Sequence, residues 1–258
     1  MKYLLKIKYI GTAYCGFQCQ KNGTAVQNVL TEAAAKVFKC SCAVTGCSRT
    51  DSGVHALGFC ATVEPSEERR IPAGKLHRAF ATFLPDDIAV IAAAEVADDF
   101  HPRYDSKGKN YIYRIWDGLY EDPFEKKRSM RLTPTLTDRE VLLMKKGAGH
   151  FVGKHDFSSF MAQGSKIVDA VRTVKSAEVY RDPAGCVVFS VSADGFLYNM
   201  VRIMVGTLVD VAKGRILPDD IPKIIDSCDR KNAGITAPPE GLYLNEVFYD
   251  CDIDWKCT

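Results

Sequence analysis

The sequence has no apolar run near the ~18 residues that a membrane-spanning helix needs, so no span is expected. Its opening stretch is interrupted by Lys2, Lys6 and Lys8, where the core of a signal peptide must be continuously apolar. It lacks a surplus of either charge: 34 Lys and Arg face 32 Asp and Glu, a formal net of +2. A uniformly basic nucleic-acid binder is thereby excluded. A local basic cleft is not, because net charge says nothing of where the charges sit. The ten cysteines contain no C-x-x-C pair and no His at a zinc-ligand offset, so no metal site is expected. With no secretion signal they read as reduced cytosolic thiols. The densest group, Cys40, Cys42 and Cys47, reads as small thiols within or beside a strand. There is no phosphate-binding G-x-x-x-x-G-K-[ST] loop and no G-x-S-x-G elbow. Gly147, Gly149 and Gly153 miss the dinucleotide fingerprint by one residue in the last gap, and they follow a helix rather than a strand. No nucleotide cofactor is expected. The five histidines are scattered.

What is present suits a folded chain of 258 residues, with 47% hydrophobic and 26% charged residues. Tyr3 to Ile10 alternates as a strand. Thr24, with Gln27 three residues later, has capping-box spacing ahead of a helix carrying Val26, Val29, Leu30, Ala33 and Val37. Strands are expected at Cys42 to Ser48 and Phe59 to Glu64, a helix around Leu76 to Phe83, and a strand at Ile88 to Val96. The second half repeats the order. It has a strand at Asn110 to Trp116 and a helix capped by Asp138. Two strands follow at Val171 to Arg181 and Cys186 to Ala193, then an apolar helix from Phe196 to Lys213. A short helix begins near Pro218, and Asn245 to Tyr249 closes as a strand. Each half is β-α-β-β-α-β. The expected class is α+β: two ferredoxin-like units side by side, mainly antiparallel sheets with helices on one face. The boundary is placed at Ser106-Lys107-Gly108, giving domains 1–106 and 107–258. Two such units leave a central cleft, where ligands often bind.

The sharpest local signal is Cys47-Ser48-Arg49-Thr50-Asp51-Ser52-Gly53-Val54-His55. Small and turn-forming residues surround one acid and one base, so the backbone can approach a ligand closely. Taken alone, the loop reads equally as a surface turn with an ordinary Arg–Asp pair. Asp51-Ser52-Gly53 is also the D-[ST]-G of aspartic proteases, but those are nearly all-β and need two such loops.

The helix from Phe196 to Lys213 is nearly all apolar with Arg202 in its middle. A buried guanidinium is costly unless paired. Asp210, eight residues on, lies ~12 Å along the axis, too far for direct pairing. Arg202 therefore needs an acid from elsewhere, for which Asp51 is the candidate, or it snorkels to solvent. In Lys109-Asn110-Tyr111-Ile112-Tyr113-Arg114, the two tyrosines share a strand face. One of them can stack on a base, or both can cover a core. Tyr14, Gly16, Phe17 and Gln18 form an aromatic–glycine loop after the first strand. Lys126, Lys127, Arg128 and Arg131 form a basic cluster that is either a solvated loop or a phosphate contact.

Together these residues resemble the tRNA pseudouridine synthase A family. Ser48 to His55 matches its G-R-T-D-x-G-V-H except Ser48 for Gly. Tyr14 to Gln20 resembles Y-x-G-[WF]-Q-x-Q. Asp98-Asp99-Phe100-His101 with Lys109-x-Tyr111-x-Tyr113 matches the middle motif. Asp156-Phe157-Ser158-Ser159-Phe160, then Phe196-x-x-x-Met200-Val201-Arg202-x-x-Val205-Gly206, and finally Gly241-Leu242-Tyr243-Leu244 match in the second half. The segments span nearly the whole chain in the family's order.

The resemblance implies a cytoplasmic homodimeric isomerase that converts uridine to pseudouridine on the 3′ side of the tRNA anticodon stem-loop, without a cofactor. A uridine would be flipped from its stack. Asp51 would cleave the glycosidic bond, either attacking C1′ or removing a ribose proton. Arg202 would keep Asp51 ionised. Arg49 would hold the flipped nucleotide or its phosphate, and Tyr111 would stack on the uracil. Tyr14, Lys109 and Arg114 are further candidates for substrate contact. A base-releasing hydrolase normally sets two carboxylates about the bond, whereas the Asp51 loop offers one. A tRNA-binding protein without catalysis would gain nothing from a buried carboxylate near phosphates.

Overall fold

The computed structural model describes residues 1–21, 23–164 and 167–256. The chain divides into two compact units. One comprises Met1–Lys107 with Tyr243–Thr258, the other Gly108–Leu242.

The first unit runs β1 (Lys2–Tyr9), α1 (Val26–Phe38), β2 (Cys42–Gly46), β3 (His55–Pro65), α2 (Ala73–Ala81) and β4 (Ile88–Val96). Its strands lie in the order β4-β1-β3-β2, every neighbour antiparallel. β1 is central, and Tyr3, Leu4, Leu5 and Ile7 in it are wholly buried. In α1 the buried residues Val26, Leu30, Ala33, Ala34 and Phe38 recur at helical spacing, and Phe38 stacks on Tyr3 with centroids 5.4 Å apart. The helix ends where Lys39 turns left-handed at φ 54°. Its N-cap is Ala25 rather than Thr24. The Asn28 side chain accepts the Ala25 amide at 3.0 Å, and Gln27 is used elsewhere. Its Oε1 accepts the Cys19 amide and its Nε2 donates to the Val44 carbonyl, both at 2.8 Å.

The second unit runs β5 (Ser106–Trp116), β6 (Met130–Arg131), α3 (Asp138–Gly149), β7 (Gly153–Asp156), β8 (Val171–Arg181), β9 (Val187–Ala193), α4 (Met200–Ala212) and α5 (Ile221–Asp226). β5, β9, β8 and β7 are successive antiparallel neighbours, and β6 pairs parallel with the end of β5. β6 and β7 are absent from the sequence reading, because two and four residues are too few to show a period of two. Thr137, not Asp138, caps α3: its hydroxyl accepts the Glu140 amide at 3.3 Å while Glu140 accepts the Thr137 amide at 2.6 Å.

The apolar helix also starts later than expected. α4 begins at Met200, not Phe196, because Asn199 sits left-handed at φ 59° immediately before it. Arg202 is therefore in the first turn rather than the middle, and every residue of α4 except it and Asp210 is buried. The closing strand β10 (Leu242–Tyr249) pairs parallel with β3 through Tyr243↔His55 and Leu244↔Ala56. Tyr249 packs on Phe100 at 5.3 Å and its hydroxyl donates to the Pro102 carbonyl at 2.8 Å. These bonds tie residues 243–249 to the first unit. Among the described residues no helix is long and apolar enough to cross a membrane.

Candidate active site

Asp51 stands in the connection between β2 and β3, and the loop around it is pinned on both flanks. Ahead of it, Thr50 is buried, with its hydroxyl 2.9 Å from that of Tyr9. The Thr50 carbonyl accepts the Phe17 amide at 3.2 Å. Behind it, the Ser52 hydroxyl and Gly53 amide donate to the Tyr14 carbonyl at 3.2 and 3.4 Å. The Val54 amide turns back to the Asp51 carbonyl at 3.2 Å. The loop after β1 thus serves as a splint for the Asp51 loop. Gly16 makes this possible. It lies at φ +84°, and a Cβ there would meet the Thr50 carbonyl oxygen at 2.3 Å. Gly53, at φ +80°, completes the turn. Phe17 locks the splint by stacking on Phe59 at 4.1 Å. What the loop presents is one half-buried carboxylate, Asp51, with exposed Arg49 two residues before it.

Tyr14 is held inside this scaffold. It is buried, and its hydroxyl donates to Asp87 at 2.6 Å. Burial, and then that carboxylate, push its phenol well above the ordinary tyrosine range. The part of Tyr14 that reaches the Asp51 loop is its backbone carbonyl. His55, which the motif made conspicuous, is buried as well. Its Nδ1 accepts the Gly11 amide at 2.9 Å and its ring lies 4.6 Å from that of Tyr243. Sequence reasoning missed this splinting. The signal available was the pair of glycines, Gly16 and Gly53, spaced for two loops that touch.

In the second unit, Arg202 is half-buried. Its Nε donates to the Ala237 carbonyl at 2.7 Å and one terminal nitrogen to Asn199 Oδ1 at 2.8 Å. The Ala237 amide returns a bond to the Arg202 carbonyl at 3.1 Å. Two positions of the guanidinium fork are thereby fixed, which sets the plane of the remainder. On β5, Lys109, Tyr111 and Tyr113 share one face, with Asn110, Ile112 and Arg114 on the other. Tyr111 is buried, edge-on to Phe196 at 5.0 Å. Tyr113 is wholly buried and donates to the Pro238 carbonyl at 2.7 Å. Gly241 lets that ring in, since a Cβ there would lie 2.5 Å from it.

Arg114 is committed within its unit. Its fork reaches Asp182 at 2.8 Å, Glu125 at 2.7 Å and the Cys186 sulfur at 3.3 Å. Burial opposes its charge, but the bond to Glu125 and the nearby acids outweigh it and raise its affinity for the proton. Burial also pushes the Cys186 thiol up to about 12. The basic cluster after β5 is interleaved with acids. Lys126, Lys127 and Arg131 line a groove of about 380 Å³ with Glu121, Asp122, Glu125 and Glu240. Asp156 to Phe160 is structural: Phe157 and Phe160 are wholly buried and the Ser159 hydroxyl donates to the Ile224 carbonyl at 2.6 Å. Among the described residues no three His, Cys, Asp or Glu side chains gather as metal ligands.

A family model described as tRNA pseudouridine synthase matches residues 6–105 and 148–250. The chain belongs to the tRNA pseudouridine synthase family. It is 43% identical over 248 residues to the tRNA pseudouridine synthase A of Ruminiclostridium cellulolyticum, covering 96% of this chain and 99% of that protein. It is 42% identical over 245 residues to that of Acetivibrio thermocellus, at 95% and 98% coverage. It is 41% identical over 248 residues to that of Exiguobacterium sibiricum, covering 96% of each. The segments matched to the tRNA pseudouridine synthase model contain the Tyr14 splint, the Asp51 loop and the Arg202 helix. Lys109, Tyr111, Arg114 and the 126–131 cluster fall in the interval between them.

Proposed function

We propose that this chain isomerises uridine to pseudouridine in tRNA and that Asp51 acts on the glycosidic bond. The observation that carries the reading is the Asp51 loop. A family-matched Arg-Thr-Asp-Ser-Gly-Val-His segment is braced by bonds to Thr50, Ser52, Gly53 and Val54, and it offers a single half-buried carboxylate. Such bracing holds a reacting group in place without reorganisation at the moment of reaction.

The uridine leaves its stack to expose C1′ and C5, which are unreachable within a helix. Asp51 acts on the ribose, as a nucleophile at C1′ or as the base that takes a ribose proton, and the N1–C1′ bond breaks. The uracil turns and C5 bonds to C1′. The C5 hydrogen leaves as a proton and N1 gains one, so substrate and product are isomers and no redox partner is consumed. Arg202, with two of its positions already fixed by Ala237 and Asn199, is proposed as the cation that keeps Asp51 charged. Tyr111 is proposed to stack on the uracil, Arg49 to hold the flipped nucleotide, and Lys109 to contact the adjoining strand.

The target is placed in the anticodon stem-loop, the enzyme in the cytoplasm, and the working form is taken to be a homodimer. The β-α-β-β-α-β connectivity with strand order β4-β1-β3-β2 supports a ferredoxin-like reading of the first unit, and β5-β9-β8 supports one for the second.

Nucleoside analysis of unmodified tRNA transcript after incubation with the purified chain tests the function. Pseudouridine at the expense of uridine is expected. Free uracil as product would establish a hydrolase, and tRNA binding with unchanged nucleosides would establish a binding protein.

A further inference from the structure

We propose that a groove in the first unit, lined by Arg49, His101 and Arg103, is a subsite for a backbone phosphate of the RNA substrate. The inference rests on the tRNA reading above and adds His101, Arg103 and Tyr104 to the residues that hold the strand.

The groove has a volume of about 200 Å³. Phe17, Thr45 and Gly46 line it together with Arg49, His101, Arg103 and Tyr104. No Asp or Glu lines it. The groove beside Lys126 and Lys127 differs, since four acids share it with three bases. In a chain whose net charge is only +2, a groove with two guanidiniums, an imidazole and no acid is a local excess of positive charge. Both arginines are exposed, and among the described residues neither is in an ion pair. Elsewhere the exposed Arg70 is paired with Glu95 at 3.1 Å.

The turn that carries His101 fixes its chemistry. The amides of Arg103 and Tyr104 donate to His101 Nδ1 at 3.1 and 3.3 Å. Nδ1 is therefore an acceptor, and the ring proton sits on Nε2, the nitrogen these bonds leave over. Asp105 closes the turn from below: its carboxylate accepts the His101 amide at 2.8 Å and its own amide donates to the His101 carbonyl at 3.1 Å. The Tyr104 ring lies tilted by 35° against the imidazole with centroids 4.2 Å apart, yet remains 76% exposed. An imidazole N–H donor and two planar forks suit the oxygens of a phosphodiester. An open aromatic face next to them suits the neighbouring base. Gln27, also in the lining, is fixed by its bonds to Cys19 and Val44. Two residues of chain, at most ~7 Å, separate Arg49 from Asp51, so a phosphate held here belongs to a nucleotide close to the reacting one.

The test measures tRNA binding as a function of salt, using chains that carry Asp51→Ala so that affinity is read apart from turnover. Arg103→Gln is expected to weaken binding about three- to tenfold. It should also lower the slope of log affinity against log salt by about one, the signature of one lost phosphate contact. Arg103→Lys should keep the slope, and Tyr104→Ala should weaken binding without changing it. Thermal melting confirms that each variant folds. An unchanged slope and affinity in Arg103→Gln would overturn the subsite, as would an equal fall in Arg70→Gln, which would mark a general charge effect. The outcomes stay separable from the isomerase reading. If the chain with Asp51 intact makes no pseudouridine but the slope falls in Arg103→Gln, the phosphate site stands and the activity does not. Pseudouridine formation with the slope intact gives the reverse.

Discussion

The Gly11 amide donates to Nδ1 of His55 at 2.9 Å. This bond ties the end of β1 to the start of β3, the two strands whose following and preceding loops frame Asp51. It also accounts for the histidine that ends the Asp51 motif: His55 is 1% exposed and packs on Tyr243, so its task is to hold the frame. His55→Ala removes a buried acceptor and leaves a cavity, and is expected to cost about 2–4 kcal/mol. Urea unfolding measures it; a loss under ~0.5 kcal/mol would show that the bond is dispensable.

The splint between the two loops predicts a contrast between glycines. Gly16→Ala puts a Cβ 2.3 Å from the Thr50 carbonyl oxygen at a backbone of φ +84°. It should displace the Asp51 loop, lowering kcat at least about tenfold and stability by more than ~1 kcal/mol. Gly149→Ala, at the end of α3 with nothing within 4 Å of the new Cβ, should be neutral or gain up to ~1 kcal/mol from helix propensity. Steady-state kinetics and melting on both variants check this. Equal behaviour would mean that the close approach of the loops is unimportant.

Arg202 donates through Nε to Ala237 and through a terminal nitrogen to Asn199. A lysine cannot reproduce that fork. Arg202→Lys should therefore lower kcat at least about tenfold while leaving the fold intact, and Arg202→Ala should lower both activity and melting temperature. A fully active Lys variant would reduce the role of Arg202 to charge alone.

Acid sensitivity should centre on Asp117, whose side chain is fully buried and receives Arg181 at 2.7 and 3.0 Å and the Leu136 amide at 2.8 Å. Burial raises the pKa of this carboxyl, but the bonds and charge of Arg181 and the amide outweigh it, so the folded value lies below the ordinary one. The sign follows: the stabilisation is complete above the unfolded value near ~4 and is lost as pH falls through the lower folded value. Arg181→Ala should cost about 3 kcal/mol at neutral pH, the low end for a broken buried pair because Arg181 is itself one-third exposed. Asp117→Asn should flatten the loss of stability below pH ~4. Denaturation midpoints across that range decide it; parallel curves for wild type and Asp117→Asn would contradict it.

Much of this was legible in sequence because it is written in periodicity and motif. The apolar spacing of α1 and α4 and the alternation of β1, β5 and β9 are local properties. What escaped is set by non-local bonds. The parallel pairing of β10 with β3 is one such case, since pairing choice leaves no trace in a strand's own residues. The start of α4 was missed because Asn199 takes a left-handed conformation within an otherwise apolar run. Asp51 and Arg49 stood out as the acid and base of one small-residue loop. The commitment of Tyr14 to Asp87 and of Arg114 to Asp182, and the groove shared by Arg49, His101 and Arg103, all join residues dozens of positions apart.

The most direct test of the account is release of tritium from tRNA labelled at C5 of uridine, with wild type and Asp51→Ala compared side by side. Release by wild type alone is predicted, since rejoining through C5 expels its hydrogen and Asp51 starts the sequence. Comparable release by Asp51→Ala, or none by either while both still bind the tRNA, would contradict it.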